Sequence, residues 1–143
     1  MSRSNCMFSS LALALATLVQ PAISATLEVE VGGIEAQQGE LRIALYDSKE
    51  AWEGKAARRA GQVGKPDGNP ALRFTFADLP PGEYAVRVMH DENGNGRMDS
   101  NLFGIPKEGY GASNNPRVMR APHFEEAAFM LGEADLSIRI TLN

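Results

Sequence analysis

Hydrophobic and polar residues alternate along most of the chain with a period of two, which is the period of a β-strand that buries one face. The first such run, TLEVEV, places Leu27, Val29 and Val31 on one side and two glutamates on the other. The same alternation recurs in ELRIALY (40–46), LRFTFAD (72–78), EYAVRVMH (83–90), AAFML (127–131) and DLSIRITL (135–142). We therefore expect six or seven short strands around one hydrophobic core.

Turn-forming residues separate these runs. Gly32 and Gly33 follow the first run, and the sequence DLPPG at 78–82 joins two others. Proline fixes φ in a tight turn and glycine supplies the positive φ that closes it. Short strands joined by frequent turns are typical of an antiparallel sandwich or barrel, so the predicted fold class is all-β.

One segment departs from the alternating pattern. Residues 47–60 (DSKEAWEGKAARRA) are rich in alanine and charged side chains. Asp47 followed by Glu50 fits a capping box. We expect one short helix near residues 48–60 that packs Trp52 on the sandwich and exposes its charged face, followed by a loop over residues 61–70.

The amino-terminal segment is typical of a secretory signal peptide. Arg3 precedes an apolar run at residues 11–19, and the small-residue stretch AISA follows at 22–25. The run is short for a membrane span, which needs about 20 residues, so the alternative of an uncleaved anchor is less favoured. We expect residues 1–25 to be a signal peptide and residues 26–143 to be a single periplasmic or secreted domain without stable membrane insertion.

Composition narrows the function. The single cysteine, Cys6, lies in the predicted signal peptide, so a core or a metal ion must hold the exported domain together. Removal of Arg3 would change the formal net charge from −4 to −5. An acidic chain without clusters of lysine and arginine is not expected to bind nucleic acid, and it has a mild preference for cations.

The sequence HDENGNGRMDSN at residues 90–101 is too polar for a core strand. Its first positions follow the calcium-loop pattern D-x-[DN]-x-[DN]-G, in which alternate residues turn oxygen atoms inward and a glycine makes the sharp turn. The candidate metal ligands are Asp91, Asn93, Asn95, the backbone carbonyl of Arg97, and Asp99.

The pattern is incomplete. Position twelve of the loop is Leu102 instead of a bidentate glutamate, and a strand leads into it, so the segment is not an EF-hand. Missing ligands would come from Glu92, Glu108, Asp67 or water, and the two asparagines suggest a modest affinity for Ca²⁺. The alternative is a metal-free hairpin turn, which explains the Asn-Gly pairs but not the two aspartates.

Three motifs in order carry a family resemblance. LPPGxYA stands at residues 79–85, HDxNxNGxxD at 90–99 and FGIPxEGYGxSN at 103–114. The chain resembles a family of short exported bacterial proteins that is known only as a domain of unknown function, and the resemblance covers nearly all of residues 26–143. It implies an exported β-sandwich and no activity.

A wider resemblance concerns the fold. A strand, an LPPG turn and a second strand recur in prealbumin-like and collagen-adhesin B-type sandwiches, some of which carry calcium loops. This likeness implies an antiparallel β-sandwich of the prealbumin or immunoglobulin type, and it supports a metal only by analogy.

Residues 101–122 show no clear period, and long irregular segments in compact domains are often functional. The segment is polar but contains aromatic residues that would either line a shallow pocket or pin the loop to the core. The candidate ligand-binding residues in and before it are His90, Phe103, Lys107, Glu108, Tyr110, Ser113 and Asn114. For His90 the simpler interpretation is a buried histidine that closes its strand with a hydrogen bond.

These observations predict an exported, non-enzymatic binding or structural module with an unidentified ligand or envelope partner. In this hypothesis a calcium-type loop at 91–99 orders a recognition loop at 103–114. One alternative is a small periplasmic hydrolase of prealbumin-like type that uses His90, Asp91 and Lys107 or Glu108. Another is a purely structural subunit of the cell envelope.

Overall fold

The computed structural model describes residues 23–143, which form eight strands and two short helices. The predicted signal peptide falls almost wholly outside these residues. The strands and helices, in chain order, are β1 (Ala25–Gly32), β2 (Glu40–Tyr46), α1 (Lys49–Trp52), β3 (Ala60–Gly64), β4 (Ala71–Leu79), β5 (Gly82–Asp91), β6 (Tyr110–Ala112), α2 (Phe124–Ala127), β7 (Phe129–Leu131) and β8 (Leu136–Thr141).

The strands form two sheets, so the predicted β-sandwich is confirmed. One sheet has the order β4-β1-β8, and the other has the order β3-β2-β5-β6, with β7 also pairing with β5. Most pairs are antiparallel, but β1 and β8 run parallel, with Leu27 opposite Leu136. This pair departs from the antiparallel prediction. A parallel pair needs a long connection, and nearly the whole domain serves as that connection.

The hydrophobic core lies between the sheets. The alternating runs place their apolar faces here as expected, because successive side chains of a strand point to opposite faces. Complete burial of each large aliphatic side chain contributes about 1.5–3 kcal/mol. The core includes Leu27, Val29, Val31, Leu41, Ile43, Leu45, Phe74, Phe76, Tyr84, Val86, Val88 and Ile140.

A second apolar cluster covers the outer face of the larger sheet. The ring of Trp52 packs edge-on against Tyr46 and Phe124, with ring centroids 5.2 and 6.3 Å away. Its Nε1 donates a hydrogen bond to the carbonyl of Pro122 at 3.0 Å. Trp52 is therefore buried against the sandwich, as its sequence context predicts.

The predicted helix near 48–60 is confirmed but is limited to four residues, Lys49–Trp52. Its N-cap is Ser48, whose hydroxyl accepts a hydrogen bond from the N–H of Ala51 at 3.2 Å, so the predicted capping role of Asp47 is wrong. The segment Ala60–Gly64, expected to begin a loop, is instead edge strand β3, because β2 offers it a free edge to pair with.

Two further boundaries differ from the predicted ones. Ala127, expected at the start of a strand, ends α2, and β7 begins at Phe129. The irregular segment at 101–122 contains the three-residue strand β6, whose Gly111 lies opposite Val88 of β5. This short strand positions the residues on either side of it against the larger sheet.

Candidate functional site

Two consecutive loops emerge at the end of β5. The first, residues 91–99, is called the polar loop below, and the second, residues 103–114, is called the second loop. The second loop contains β6, whose pairing with β5 returns the chain to the sheet. The chain therefore brings both loops predicted from the motifs to the same edge of the larger sheet.

Asp91 anchors the polar loop from inside the protein. Its carboxylate is fully buried. Oδ2 accepts hydrogen bonds from Nε of Arg42 at 2.9 Å and from the N–H of Gly96 at 2.7 Å, and Oδ1 accepts one from the N–H of Asn95 at 3.0 Å. Burial by itself would raise the pKa of Asp91, but the Gly96 N–H and the Arg42 guanidinium hold that pKa below its usual value.

The other polar side chains of the loop converge on Asp99. The amide nitrogen of Asn95 donates to both carboxylate oxygens of Asp99, at 3.0 and 3.1 Å, and the amide nitrogen of Asn93 donates to Oδ2. The amide oxygen of Asn95 accepts the N–H of Arg97 at 2.8 Å. Rotation of each amide by half a turn exchanges its nitrogen and oxygen, so these side chains can present oxygens to the same point.

Glu108 joins the two loops. Its side chain is nearly buried, Oε1 accepts the N–H of Glu92 at 3.0 Å, and Oε2 accepts the N–H of Asp99 at 3.0 Å. The N–H of Lys107 donates to the carbonyl of Asp99 at 2.8 Å. Glu108, predicted as a candidate ligand, thus accepts hydrogen bonds from backbone amides at both ends of the polar loop.

The turn before β2 supports the polar loop from below. Gly39 has φ +76°, and a Cβ at this position would lie 2.5 Å from the Cα of Glu92. The ring of His90 contacts the preceding residue, Gln38. Its Nε2 lies 2.8 Å from the Gln38 carbonyl oxygen. Only glycine allows this close approach between the two segments.

His90 is buried on the core side of β5, next in the alternating series after Val88. Its backbone N–H donates to the carbonyl of Gly109 at 2.8 Å, and its ring contacts Gln38. Because neighbouring residues of a strand point to opposite faces, His90 points away from Asp91. The structure does not bring together the His90–Asp91 pair on which the hydrolase alternative depends.

Two further candidates from the sequence bond to the protein itself. The hydroxyl of Ser113, which is buried, accepts the N–H of Val86 at 2.9 Å and donates to the carbonyl of Ala127 at 2.5 Å. The amide nitrogen of Asn114 donates to the carbonyl of Ala128 at 2.8 Å. Ser113 ties β5 to the last residue of α2, and Asn114 ties the end of the second loop to Ala128, between α2 and β7.

The remaining candidates lie at the surface. Lys107 is exposed on the second loop. Asp67, considered as an additional metal ligand, lies in the connection between β3 and β4, where its carboxylate accepts hydrogen bonds from the N–H and the side-chain amide of Asn69 at 3.1 and 3.0 Å. These hydrogen bonds lower the pKa of Asp67.

A groove of about 670 Å³ lies on the outer face of the larger sheet, next to both loops. Phe103 and Tyr110 are among its lining residues, and the ring of Phe103 is 88% exposed. Met98 of the polar loop and Arg87 of β5 also line it. Sequence patterns missed Arg87, although its outward position on an otherwise apolar strand is visible as EYAVRVMH.

The geometry limits which metals the chain could hold. Within residues 23–143 no three or more His, Cys, Asp and Glu side chains cluster in a way that would bind an ion. The oxygens of the polar loop come mainly from asparagine amides, backbone carbonyls and two aspartates, a set that suits a hard cation better than zinc. No helix in the same residues is long and apolar enough to cross a membrane.

Comparison with known proteins gives one match. A family model described as "Uncharacterized protein conserved in bacteria (DUF2141)" matches residues 29–139. The matched range includes both loops. No curated protein and no solved structure matches the chain significantly.

Proposed function

We propose a function for this chain as a member of the uncharacterised bacterial family DUF2141. The chain belongs to this family because the family model matches residues 29–139, and its motifs predict the same family. In this proposal the protein is a small exported binding module. A hard cation of the calcium type orders the polar loop, and the polar loop in turn holds the second loop as a recognition surface.

The bridging position of Glu108 carries the proposal. One carboxylate of the second loop accepts N–H groups from both ends of the polar loop, at Glu92 and Asp99. Any event that orders the polar loop must therefore also restrict the second loop. This link gives the cation a role beyond local stability.

The chemistry of the polar loop supports a hard cation. Two carboxylates, Asp91 and Asp99, two asparagine amides and the carbonyl of Arg97 offer oxygens of the kind that Ca²⁺ prefers. The lowered pKa of Asp91 keeps it ionised at neutral pH. Only two charged ligands are present, and water would complete the coordination, so the affinity should be modest.

Export is the second part of the proposal. The predicted signal peptide at 1–25 would direct the domain to the periplasm or outside the cell, where free calcium is more abundant than in the cytosol. A modest affinity is sufficient there, since extracellular calcium modules bind in the range of about 10⁻⁴–10⁻³ M.

Calorimetric titration of residues 26–143 with Ca²⁺ tests the proposal, together with thermal unfolding at increasing Ca²⁺. We expect saturable heat and a rising melting temperature, because an ion that binds only the folded state adds about 2.7 kcal/mol at 100 times its Kd. Asp99→Ala and Asn95→Ala should abolish both responses.

Asp47→Ala is the matched control, because this exposed aspartate follows Tyr46 at the end of β2 that pairs with Ala85, away from the end that pairs with Asp91. It should leave the titration unchanged. Absence of heat together with a melting temperature that is independent of Ca²⁺ would support the metal-free hairpin and reject the cation.

A further inference from the structure

The groove beside the two loops has the composition of a ligand site. Its floor is formed by β5 and β6, and its walls by residues 103–106 and 115–122. Its apolar lining includes Met89, Met98, Phe103, Ile105, Val118 and Met119. A volume of about 670 Å³ falls in the range of about 300–1,000 Å³ that is usual for small-molecule sites.

Two arginines line this groove: Arg120, which is paired with Glu126, and Arg87, which forms no ion pair within residues 23–143. The guanidinium of Arg87 lies 3.9 Å from the ring centroid of Trp52 and 5.5 Å from that of Tyr46. Within the same residues, no Asp or Glu side chain lines the groove. Burial lowers the pKa of Arg87, which reflects the cost of a partly desolvated cation.

The register of the strands orders the groove along its length. Arg87 lies opposite Ala112, and Met89 lies opposite Tyr110. The cation is therefore nearer to the helices, and the apolar part of the groove extends from Met89 towards the polar loop. The site has one charged end and one apolar end.

Both walls are held in place by hydrogen bonds. The amide oxygen of Asn101 accepts the N–H groups of Phe103 and Ile105 at 2.9 and 3.0 Å, which fixes the first wall. In the second wall, Arg120 forms two hydrogen bonds of 2.8 Å with Glu126. The apolar side chains at the rim are thus exposed on ordered backbone.

Exposed apolar side chains concentrate on these walls. Phe103, Ile105 and Met119 are 88%, 59% and 106% exposed, and Leu102, next to the first wall, is 101% exposed. Exposed apolar side chains that line one groove are typical of an interaction site. Methionines adapt to flexible apolar partners, which suits a chain better than a rigid ring.

From this arrangement we propose that the groove binds a free amphiphile with an anionic head group, as in a long-chain carboxylate. The carboxylate pairs with Arg87, and the alkyl chain lies along Met89 towards Phe103 and Met119. The proposal rests on the binding role proposed above but does not require the cation. The stacking of Arg87 on Trp52 holds the guanidinium ready for a bidentate contact with a carboxylate.

Titration of residues 26–143 with dodecanoate below its micelle concentration tests this proposal. Trp52 is the single tryptophan of the chain, so its fluorescence reports on the Arg87 end of the groove. We expect saturable one-to-one binding, and decanoate should bind roughly tenfold more weakly because two methylene groups are lost. Dodecyltrimethylammonium, with the same tail and the opposite charge, should bind at least about tenfold more weakly than dodecanoate.

Two variants test the two ends of the site. Arg87→Gln should weaken dodecanoate by about tenfold or more and leave neutral dodecyl maltoside unchanged. Met119→Glu, at a fully exposed position that folding does not depend on, should weaken dodecanoate through repulsion of its carboxylate and loss of apolar contact. Met130→Glu is the matched control, since Met130 is 69% exposed on β7 and does not line the groove.

Several outcomes would overturn the proposal. They are equal binding of the anionic and cationic amphiphiles, equal effects of Met119→Glu and Met130→Glu, and binding to anionic phospholipid vesicles without binding of free dodecanoate. The dodecanoate titration is run in EDTA, because Ca²⁺ precipitates long-chain carboxylates, and the Ca²⁺ titration is run without amphiphile. Dodecanoate binding in EDTA with no calcium response would reject the cation alone, and a calcium response without dodecanoate binding would reject the amphiphile alone.

Discussion

The N–H of Asp99 donates a hydrogen bond to Oε2 of Glu108 at 3.0 Å, across nine residues of chain. The other oxygen of the same carboxylate accepts the N–H of Glu92 at 3.0 Å. One nearly buried side chain therefore satisfies backbone donors at both ends of the polar loop. The two loops behave energetically as one unit, and their order should be gained or lost together.

Glu108→Gln should uncouple them. The amide nitrogen of glutamine cannot accept a hydrogen bond, so one of the two backbone N–H groups would lose its partner at a cost of about 1–3 kcal/mol. Urea unfolding should show that loss in the free energy of unfolding, and amide hydrogen exchange should accelerate at Glu92 or Asp99. Glu133→Gln, in the exposed turn after β7, should change neither measurement. Unchanged exchange in Glu108→Gln would contradict the bridging role.

Gly39→Ala should destabilise the protein more than Gly54→Ala. Both glycines have positive φ, +76° and +77°, which costs about 1–2 kcal/mol for a residue with a Cβ. A Cβ at residue 39 would also press on the backbone of Asp91 and Glu92, whereas nothing lies within 4 Å of a Cβ at residue 54. The difference in unfolding free energy between the two variants measures the cost of this contact. Equal values would show that the polar loop moves away from the added Cβ at no cost in stability.

Acid should destabilise the fold through Asp91 and Glu126. The Gly96 N–H and Arg42 outweigh the effect of burial and lower the pKa of Asp91, and hydrogen bonds from Arg120 and from the His123 backbone lower the pKa of Glu126 to about 2. The unfolded state therefore takes up protons first, and stability falls as the pH drops below the ordinary carboxylate range near about 4.

Urea midpoints at pH 7, 4 and 3 measure this decline. Asp91→Asn should make it shallower, because asparagine does not titrate, and Asp47→Asn, which changes an exposed carboxylate, should leave the slope as it is. A full decline in Asp91→Asn would assign the acid sensitivity to other groups.

Asn93→Asp should tighten calcium binding if the cation proposal is right. A third carboxylate raises the ligand charge, which is the main determinant of affinity in such loops, and an increase of about tenfold or more is expected by calorimetry. Without Ca²⁺ the same variant should melt at a lower temperature, because it places a further negative charge beside Asp99. Asn69→Asp places a charge beside Asp67 in the same way, so it should also lower the melting temperature but leave the Kd for Ca²⁺ unchanged. An unchanged Kd in Asn93→Asp would count against coordination by this side chain.

The long alternating runs predicted β1, β2, β4, β5 and β8, because each has at least three apolar residues on one face. The strands β3 and β6 were missed for a physical reason. Gly61, Gly64 and Gly111 give these short segments little strand preference of their own, and their conformation is set by pairing with β2 and β5. Such tertiary effects are not visible in a local pattern.

The candidate site likewise combines features that the local sequence predicts with features that only the fold creates. The spacing of Asp91 to Asp99 identified the polar loop, since its candidate ligands are close together in sequence. Arg42, the partner of the buried Asp91, lies 49 residues earlier, and only the register of β2 against β5 brings it there. The groove could not be predicted from the sequence either, because it forms between Arg87 on β5 and loops that show no periodic pattern.

The parallel pairing of β1 with β8 also bears on how quickly the chain reaches its fold. β1 is the central strand of its sheet, and both its neighbours come from distant parts of the sequence. The N–H of Thr26 and the carboxylate of Asp135, 2.7 Å apart, are separated by 109 residues. Such long loops must close before the contacts that stabilise the closed form can be made. The topology therefore has a high contact order, and we expect the domain to fold slowly, on the millisecond-to-second scale. During that interval the edges of β1 stay unpaired and open to association with other chains.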